Sequence, residues 1–287
     1  MAEKRRIKAR AVSNVAASKT ALIDLPVGPR YHEVTLEHGY SAGTNTVAAA
    51  ASNITEIRVL VNGRIQRVFS GTQLRDLNIL NGTTYDCQGV PNTSPGVSFP
   101  IYFAEPWRKD ARDQDALAWV TKGFKSFQIE VDISSASTPT LVASCAVDDF
   151  QPSVEPSYVT MRRQGVAASG TSFDINSIDK KGLLQQVSLY PDSGGSQAAT
   201  IVTVRKDGDI IHELTKSSNF ALLTNNGMAP TASGRTASIY DLVFDHDDLL
   251  NSSVMLQGVK EFTLTVEAAS AMSGTLTFIV QRYGPLE

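Results

Sequence analysis

Cysteine and aromatic residues are scarce in this chain. Its two cysteines, Cys87 and Cys145, lie 58 residues apart in 287 residues. Two cysteines are too few for a disulfide framework, and this spacing is not that of a metal site. Aromatic residues make up 7% of the chain, which does not favour the exposed aromatic platform of a tandem ligand-binding module. The cysteine content fits assembly in a reducing cytoplasm.

Long apolar runs and a large excess of charge are also missing. No hydrophobic stretch approaches the ~20 residues that span a bilayer, and the charged N-terminus is not followed by the apolar segment of a secretory signal. The formal net charge is −3, with 19% charged and 42% hydrophobic residues. This balance excludes a disordered chain and a generally basic nucleic-acid coat, and it predicts a globular protein.

Positive charge is concentrated at the N-terminus, where only Glu3 opposes it. The first ten residues contain five basic ones: Lys4, Arg5, Arg6, Lys8 and Arg10. Such a run is attracted to anionic lipid surfaces and to nucleic-acid phosphates, although the absence of interleaved aromatics does not favour base stacking. A solvated tail is the alternative. We predict that residues 1–20 form a basic arm.

An internal repeat is the most informative feature of the sequence. Motifs recur in the same order with an offset of 145 residues in one block and 135 in the next, as shown by the pairs Gly63 and Gly208, Asn81 and Asn226, Gly123 and Gly258, and Thr140 and Thr275. An insertion in a surface loop produces such a shift, because loops tolerate length changes and packed strands do not. The chain therefore contains two copies of one domain.

Each copy has the pattern of an antiparallel β-sandwich. Period-2 alternation, β-branched residues and frequent turn signals predict six to eight short strands per copy, with long connections at matched places. This favours a Greek-key sandwich of jelly-roll type. We predict an all-β fold of two tandem jelly-roll β-sandwiches, a double jelly roll, with short helical insertions. The predicted boundaries are a basic arm over 1–20, a first jelly roll over 21–150, a linker over 151–160 and a second jelly roll over 161–287.

Four helical segments are predicted within the two copies. Each follows from a capping residue or from a mixed apolar stripe, and each ends near a glycine that suits a helix C-terminus. The predicted segments are Gln73–Leu80 with Thr72 as N-cap, Pro106–Lys122, Asn219–Leu223 with Ser217 or Ser218 as N-cap, and Asp247–Gln257.

Residue types suited to catalysis are present but are not arranged for it. The histidines share no helix face or strand at metal spacing, and the His-x-His pair of a bicupin is missing. No Gly-x-Ser-x-Gly elbow and no phosphate loop with a lysine is found. The sequence predicts no enzymatic activity and no required cofactor. We expect a surface or loop position for each of the four histidines, His32, His38, His212 and His246.

Two acidic clusters are candidates for calcium, because hard carboxylate oxygens in a loop are the ligands that Ca²⁺ prefers. Neither has the EF-hand pattern, and acidic residues at a helix start also interact favourably with the helix dipole. The looser cluster consists of Asp110, Asp113 and Asp115. The tighter one, which we take as the candidate calcium site, consists of Asp245, Asp247 and Asp248.

Four segments resemble the major capsid protein of corticoviruses: Ser13–Ala17, Leu25–Gly28, Ile57–Val59 with Asn62–Arg64, and Pro156–Arg163. Corticoviruses are icosahedral tailless bacteriophages with a lipid membrane beneath the protein shell. The resemblance implies a double jelly roll similar to the capsid proteins of tectiviruses and adenoviruses, where three copies form a trimer whose six jelly rolls approximate a hexagon. It also implies a structural protein of the virion.

The duplication suits a shell, because a trimer of a tandem duplicate presents six similar lateral faces to a hexagonal lattice. We predict homotrimeric, pseudo-hexagonal capsomers that contact neighbouring trimers, a vertex or penton protein and, through the basic arm, the internal viral membrane, with no specific nucleic acid. Assembly is expected in the host cytoplasm. The loops Glu37–Ser52 and Gln88–Gly96 are expected to face outward or join trimers. The alternative is a two-module β-sandwich that binds carbohydrate or protein, as a virion spike or an adhesin.

Overall fold

The structure is a computed structural model that describes residues 3–9, 12–40, 47–83, 96–135, 138–152, 157–191 and 198–286. The chain divides into two compact units. Unit 1 comprises Met1–Val159 with Pro285–Glu287, and unit 2 comprises Thr160–Gly284. Both units consist mainly of antiparallel strands, which confirms the predicted all-β class. No helix in the described ranges is both long and apolar enough to cross a membrane.

Unit 1 is built from two antiparallel sheets. Its described strands are β1 (Arg5–Lys8), β2 (Val12–Ser13), β3 (Thr20–Leu25), β4 (Arg30–Gly39), β5 (Ile54–Val61), β6 (Arg64–Phe69), β7 (Gly96–Tyr102), β8 (Trp119–Val120), β9 (Phe127–Ile133) and β10 (Thr140–Asp148). One sheet has the order β1-β10-β4-β7, with β8 also paired to β4. The other has the order β6-β5-β9-β3-β2. Consecutive strands β9 and β10 thus lie in different sheets, as a Greek-key arrangement requires.

Unit 1 also contains the short helices α1 (Val47–Asn53), α2 (Gly71–Leu80) and α3 (Ala111–Gln114). The prediction of a helix ending at Leu80 is confirmed, but its N-cap is Ser70 and not Thr72. Ser70 Oγ accepts a hydrogen bond from Gln73 N at 3.2 Å, and Ser70 N donates to Gln73 Oε1 at 2.9 Å. This reciprocal capping box satisfies two main-chain donors, which favours the earlier start.

The predicted helix over Pro106–Lys122 is wrong. Only the four residues of α3 are helical, and Trp119–Val120 form strand β8, where Tyr31 pairs with Trp119. The five consecutive residues 117–121 are all buried. A helix at a surface buries one stripe, so it cannot bury five successive side chains against a single face. The core therefore selects an irregular path with a short strand.

The core of unit 1 is an aromatic cluster around a buried arginine. Phe103 and Trp119 have ring centroids 4.8 Å apart, and Tyr31 packs edge-on against Phe127 at 5.0 Å. The guanidinium carbon of Arg67 lies 4.9 Å from the ring centroid of Phe103 and 4.8 Å from that of Trp119. Cation–π contacts of this kind gain strength when they are desolvated.

Unit 2 repeats the two-sheet plan with two very long strands. Its strands are β11 (Tyr158–Ile175), which opens with the last two residues of unit 1, β12 (Leu183–Tyr190), β13 (Ala199–Lys206), β14 (Asp209–Thr215), β15 (Tyr240–Val243), β16 (Val254–Met255) and β17 (Phe262–Gly284). Residues 262–268 of β17 pair with β13, and residues 277–283 pair with β12. One strand of 23 residues, much longer than the short strands that the sequence predicts, therefore serves both sheets.

Helical structure in unit 2 differs from the prediction at both places, because the first helix is longer than predicted and the second is absent. Helix α4 (Lys216–Asn225) is capped by Thr215, whose Oγ1 accepts from Ser218 N at 3.2 Å, and not by Ser217 or Ser218. In place of a helix over Asp247–Gln257, the chain forms a 3-10 turn over Leu250–Ser252 and then β16. Asn and Ser side chains hydrogen-bond locally and disfavour helix interiors, and here Ser252 Oγ donates to Asp247 Oδ2 at 2.6 Å.

The internal repeat is visible in matching hydrogen bonds. In unit 1, Asn62 Oδ1 accepts from the main-chain nitrogens of Lys125 and Ser126 at 2.6 and 3.2 Å. In unit 2, Asp207 Oδ1 accepts from Lys260 and Glu261 at 2.8 and 2.9 Å. The acceptors are 145 residues apart and the donors 135 residues apart, the two offsets read from the sequence. Both acceptors have positive φ, 53° and 50°, a conformation that Asn and Asp tolerate better than other non-glycine residues.

Candidate functional site

The predicted basic arm forms part of a sheet. Arg5–Lys8 is strand β1, at the edge of its sheet, and it pairs with β10 so that Arg5 lies opposite Val147. The sequence did not predict this strand, because residues 1–20 are expected to form an arm ahead of a jelly roll that begins at residue 21. Exposed edge strands tolerate charged side chains, which protect the edge from unwanted pairing. All four residues of β1 are exposed, and Arg10 lies outside the described residues.

Three basic side chains at this edge form ion pairs. Lys4 Nζ lies 2.8 Å from Asp115 Oδ1, Arg5 Nη2 lies 2.7 Å from Asp149 Oδ2, and Arg6 Nη1 lies 3.5 Å from a Glu33 carboxylate oxygen. The basic side chains remain 55%, 50% and 74% exposed in that order. Pairs this exposed contribute roughly 0–1 kcal/mol each. They leave the cations accessible to an anionic surface.

His32 lies behind β1 in a buried charge network. Its Nδ1 is 2.9 Å from Asp115 Oδ1, the atom that also accepts from Lys4, and its Nε2 is 2.8 Å from Asp148 Oδ2. Arg30 donates to both oxygens of Asp148, at 3.0 and 2.6 Å. Ionised carboxylates accept and do not donate, so both imidazole contacts are hydrogen bonds only when the ring carries two protons.

The Asp148 carboxylate is stabilised by this network. Burial acts to raise the pKa of Asp148, but the hydrogen bonds from Arg30, His32 and the main-chain nitrogen of Phe150 outweigh it, and the pKa is lower than usual. The guanidinium carbon of Arg30 also lies 4.5 Å from the ring centroid of Phe150. Asp148 is the last residue of β10, so the network anchors the end of this strand beside β1.

The expectation that every histidine lies on the surface or in a loop is wrong. His32 and His38 both lie within strand β4 and are 5% and 0% exposed, and His212 lies in β14. The network around His32 joins residues that are 83 and 116 positions apart in sequence. No local motif signals such a contact, because it depends on which strands become neighbours.

Two aspartates of the candidate calcium site, Asp245 and Asp247, interact with different parts of the protein. Gln185 Nε2 lies 3.2 Å from Asp245 Oδ2. Asp247 accepts from Ser252 Oγ at 2.6 Å and from Leu249 N at 3.1 Å. Burial acts to raise the pKa of Asp247, and these hydrogen bonds lower it below its usual value. In the described part of the chain, no group of three or more His, Cys, Asp and Glu side chains is arranged to hold a metal ion. Calcium at Asp245, Asp247 and Asp248 stays a prediction.

A second exposed edge lies in unit 2 and was not predicted. Strand β14 is the terminal strand of its sheet, and all its residues are exposed or half-buried. Ile210 and Ile211 are 51% and 41% exposed. Two adjacent isoleucines on a strand point to opposite faces of the sheet. A strand that buries only one face therefore buries only one of them. The pair of adjacent isoleucines in an otherwise largely polar strand is the signal that sequence reasoning could have used.

Other predicted features lie partly outside the described residues. These are residues 41–46 of the loop Glu37–Ser52, residues 88–95 of the loop Gln88–Gly96, residues 153–156 of the linker, and Cys87. The other cysteine, Cys145, is free and buried. Burial raises the pKa of its thiol to about 12, so it is neutral at physiological pH.

Comparison with protein families covers nearly the whole chain. The model of the viral coat protein P2 N-terminal domain matches residues 6–148, and that of the viral coat protein P2 C-terminal domain matches residues 159–286. The chain belongs to the viral coat protein P2 family. The resemblance to viral major capsid proteins that the sequence suggested is confirmed, and the function is that of a structural coat protein, not of an enzyme.

Solved structures show the fold of this coat protein. The major capsid protein P2 of bacteriophage PM2 is similar with a TM-score of 0.80 and 19% identity, covering 99% of this chain and 98% of that one. The STIV major capsid protein is similar with a TM-score of 0.71 and 8% identity, covering 98% and 96%. PBCV-1 VP54 has a TM-score of 0.69 and 10% identity, covering 99% and 94%. No curated protein sequence matches significantly. The predicted double jelly roll is confirmed.

Proposed function

We propose that this coat protein is the major capsid protein of a tailless icosahedral virus and forms pseudo-hexagonal homotrimeric capsomers over an internal lipid membrane. The observation that carries the proposal is the match of both coat-protein domains to the two halves of a duplicated chain. Neighbouring trimers and a vertex or penton protein are its proposed partners. The protein is proposed to be located in the virion, after assembly in the host cytoplasm.

The duplication supports a trimer. Both units carry a hairpin whose turn residue, Asn62 or Asp207, fixes the start of the same later strand through two hydrogen bonds. Units with the same internal contacts have similar shapes. Three copies of such a chain in closed symmetry present six similar faces, which suits sixfold positions of a lattice.

The charge of the N-terminal edge supports contact with a membrane. Arg5–Lys8 and the preceding Lys4 are exposed, and each of the three ion pairs at this edge is too accessible to mask its cation fully. A basic residue near an anionic lipid surface contributes ~1 kcal/mol. No cofactor is proposed as necessary, and calcium at Asp245, Asp247 and Asp248 is an optional addition to the proposal.

The oligomeric state tests the capsomer directly. Light scattering on the purified protein should give about three times the chain mass of 30.9 kDa. A mass near one chain would contradict the capsomer and would favour the two-module binding protein instead. That alternative also requires a saturable carbohydrate or protein ligand, which a titration calorimetry screen would detect.

The membrane contact is tested with vesicles of anionic phospholipid. In the double variant Arg6→Gln and Lys8→Gln, loss of two charges should weaken co-flotation about 30-fold per chain, because each contributes ~1 kcal/mol. The matched control is Lys181→Gln with Lys260→Gln, which removes the same charge from unit 2 and should float like the wild type. Light scattering measures the mass of all three proteins, so that flotation is compared only between species of equal mass. Equal flotation of all three proteins would contradict the membrane contact.

A further inference from the structure

The open edge of β14 has a covered counterpart in unit 1. The hairpin offset of 145 places β6 and β14 in equivalent positions, and the register agrees: Arg67 lies opposite Val59, and His212 lies opposite Val204. In β6 the side chains of Gln66, Arg67 and Phe69 are almost fully buried. In the described part of unit 2, β14 pairs with β13 alone, and its side chains stay exposed.

The segment that covers β6 is the opening of β11. Arg67 Nε donates to the main-chain oxygen of Val159 at 2.8 Å, and both residues belong to unit 1. Tyr158, the residue before, donates from its hydroxyl to Val120 O at 2.9 Å. The equivalent edge of the second hairpin therefore lacks a partner of this type among the described residues of its own unit.

The opening of β11 is itself the counterpart of β1. Arg5 lies opposite Val147 in unit 1. The offset of 135 takes Val147 to Arg282, and the hydroxyl of Thr160 donates to Arg282 O at 3.5 Å in unit 2. Thr160 therefore occupies the position of Arg5, and Val159 occupies that of Lys4. Strand β1 is therefore the unit 1 equivalent of the segment that covers β6, and every copy of the chain carries it.

Strands β1 and β14 are complementary in character. Each lies at the end of its sheet with an unpaired main-chain edge in the described structure, and such edges bind added strands. The sequence of β1 carries three cations, Arg-Arg-Ile-Lys, whereas β14 carries Asp209 and Glu213. Both strands also carry exposed isoleucines. Ile7 of β1 is 39% exposed, and Ile210 and Ile211 of β14 are 51% and 41% exposed.

We propose that β14 of one copy pairs with β1 of a second copy of this chain. The contact between copies repeats the one that β6 makes with the opening of β11, and His212 takes the place of Arg67 opposite Lys4 of the neighbour. The contact is heterologous, because it joins two different strands. Such a contact forms a closed ring of three copies when each copy is rotated by about 120° from the next. The inference rests on the proposed trimer, for which it names the contacting strands.

The test places charge on the β14 edge. Ile210→Lys with Ile211→Lys should reduce the mass by light scattering about threefold, to that of one chain. The control pair Leu249→Lys with Met255→Lys adds the same charge at side chains that are 52% and 51% exposed outside β14, and it should stay trimeric. A β14 variant that remains trimeric overturns this inference and leaves the capsomer standing. A monomeric wild type overturns both.

Cross-linking gives a second measurement that does not depend on dissociation. Lys4→Cys with His212→Cys, treated with a short bismaleimide, should yield covalent dimers and trimers on a denaturing gel, because the two positions lie opposite each other in the proposed pairing and neighbouring strands lie about 5 Å apart. Each single variant reports the background from the native cysteines. The inference is overturned if the double variant gives no more cross-linked product than the single variants. Circular dichroism should show the wild-type strand content for the β14 variants, since Ile210 and Ile211 are exposed.

Discussion

Replacing Arg67 with alanine should lower the free energy of unfolding of unit 1 by about 4 kcal/mol, the range seen for loss of a large buried side chain. Arg67 is 1% exposed. It donates from Nε to Val159 O at 2.8 Å and from Nη1 to Tyr102 O at 2.5 Å. Alanine would leave a cavity between Phe103 and Trp119 and two buried carbonyl oxygens without these donors, and each orphaned acceptor costs roughly 1–3 kcal/mol.

The charge of Arg67 persists despite its burial. Burial lowers the pKa of Arg67 to about 9, and the negative charge of Glu105 opposes this shift. The guanidinium is therefore protonated at neutral pH. The two main-chain oxygens, the two aromatic rings and the negative charge of Glu105 together offset the desolvation of a full positive charge.

Tryptophan fluorescence measures this effect in the correct unit. Both tryptophans of the chain, Trp107 and Trp119, lie in unit 1, so a denaturant titration followed by their emission reports on that unit. Arg64→Ala, at an exposed position in the same strand, is the matched control and should change stability by less than about 0.5 kcal/mol. Arg67→Met should fall between the two, because it fills the space but donates no hydrogen bond. Equal titration curves for Arg67→Ala and Arg64→Ala would show that this contact contributes little.

Replacing Asp241 with asparagine should destabilise unit 2 by about 3–5 kcal/mol, the usual cost of removing one partner from a buried ion pair. Arg235 Nη2 lies 2.5 Å from Asp241 Oδ2, and the two side chains are 1% and 0% exposed. Ser188 Oγ donates to Asp241 Oδ1 at 2.6 Å. Asparagine keeps the shape but removes the negative charge that lies beside the buried guanidinium of Arg235.

A double variant separates the charge from the packing. Arg235→Met with Asp241→Leu removes both charges, and it should recover most of the stability that the single variant loses, because apolar replacements of buried ion pairs are often neutral. Scanning calorimetry gives the unfolding temperature of unit 2, while tryptophan emission should show unit 1 unchanged. Lys181→Met, at a side chain that is 71% exposed, is the control for an exposed ion pair. If Asp241→Asn lost no more stability than Lys181→Met, the prediction would be contradicted.

The sequence predicts the duplication well because turns and caps are local. The hairpin turns after Val61 and Lys206, the helix ends at Leu80 and Asn225, and the strand start after Gly123 and Gly258 all depend on a few adjacent residues. Asn, Asp and Gly adopt positive φ at low cost, so these residues occur where the chain turns. Their spacing therefore shows the repeat without knowledge of which strands become neighbours.

Contacts between distant segments could not be predicted in the same way. Residues 117–121 carry an apolar pattern that suits a helix, but the aromatic core buries every one of them and a helix cannot satisfy that burial. Arg67 and Arg64 both read as surface arginines of a hairpin, and only the neighbouring segment at Val159 decides which one is buried. The same holds for His32, whose two carboxylate partners lie on other strands.

The sequence by itself determined that the chain is all-β, that it contains two copies of one sandwich, and that positive charge gathers at its N-terminus. These properties follow from periodicity, turn residues and composition, which act over short distances. Only the tertiary structure decided that Arg5–Lys8 is an edge strand, that β6 is covered while β14 is open, and that charges are buried at Arg67 and Arg235. Sheet order decides these features, because a strand is an edge or an interior strand only through its neighbours.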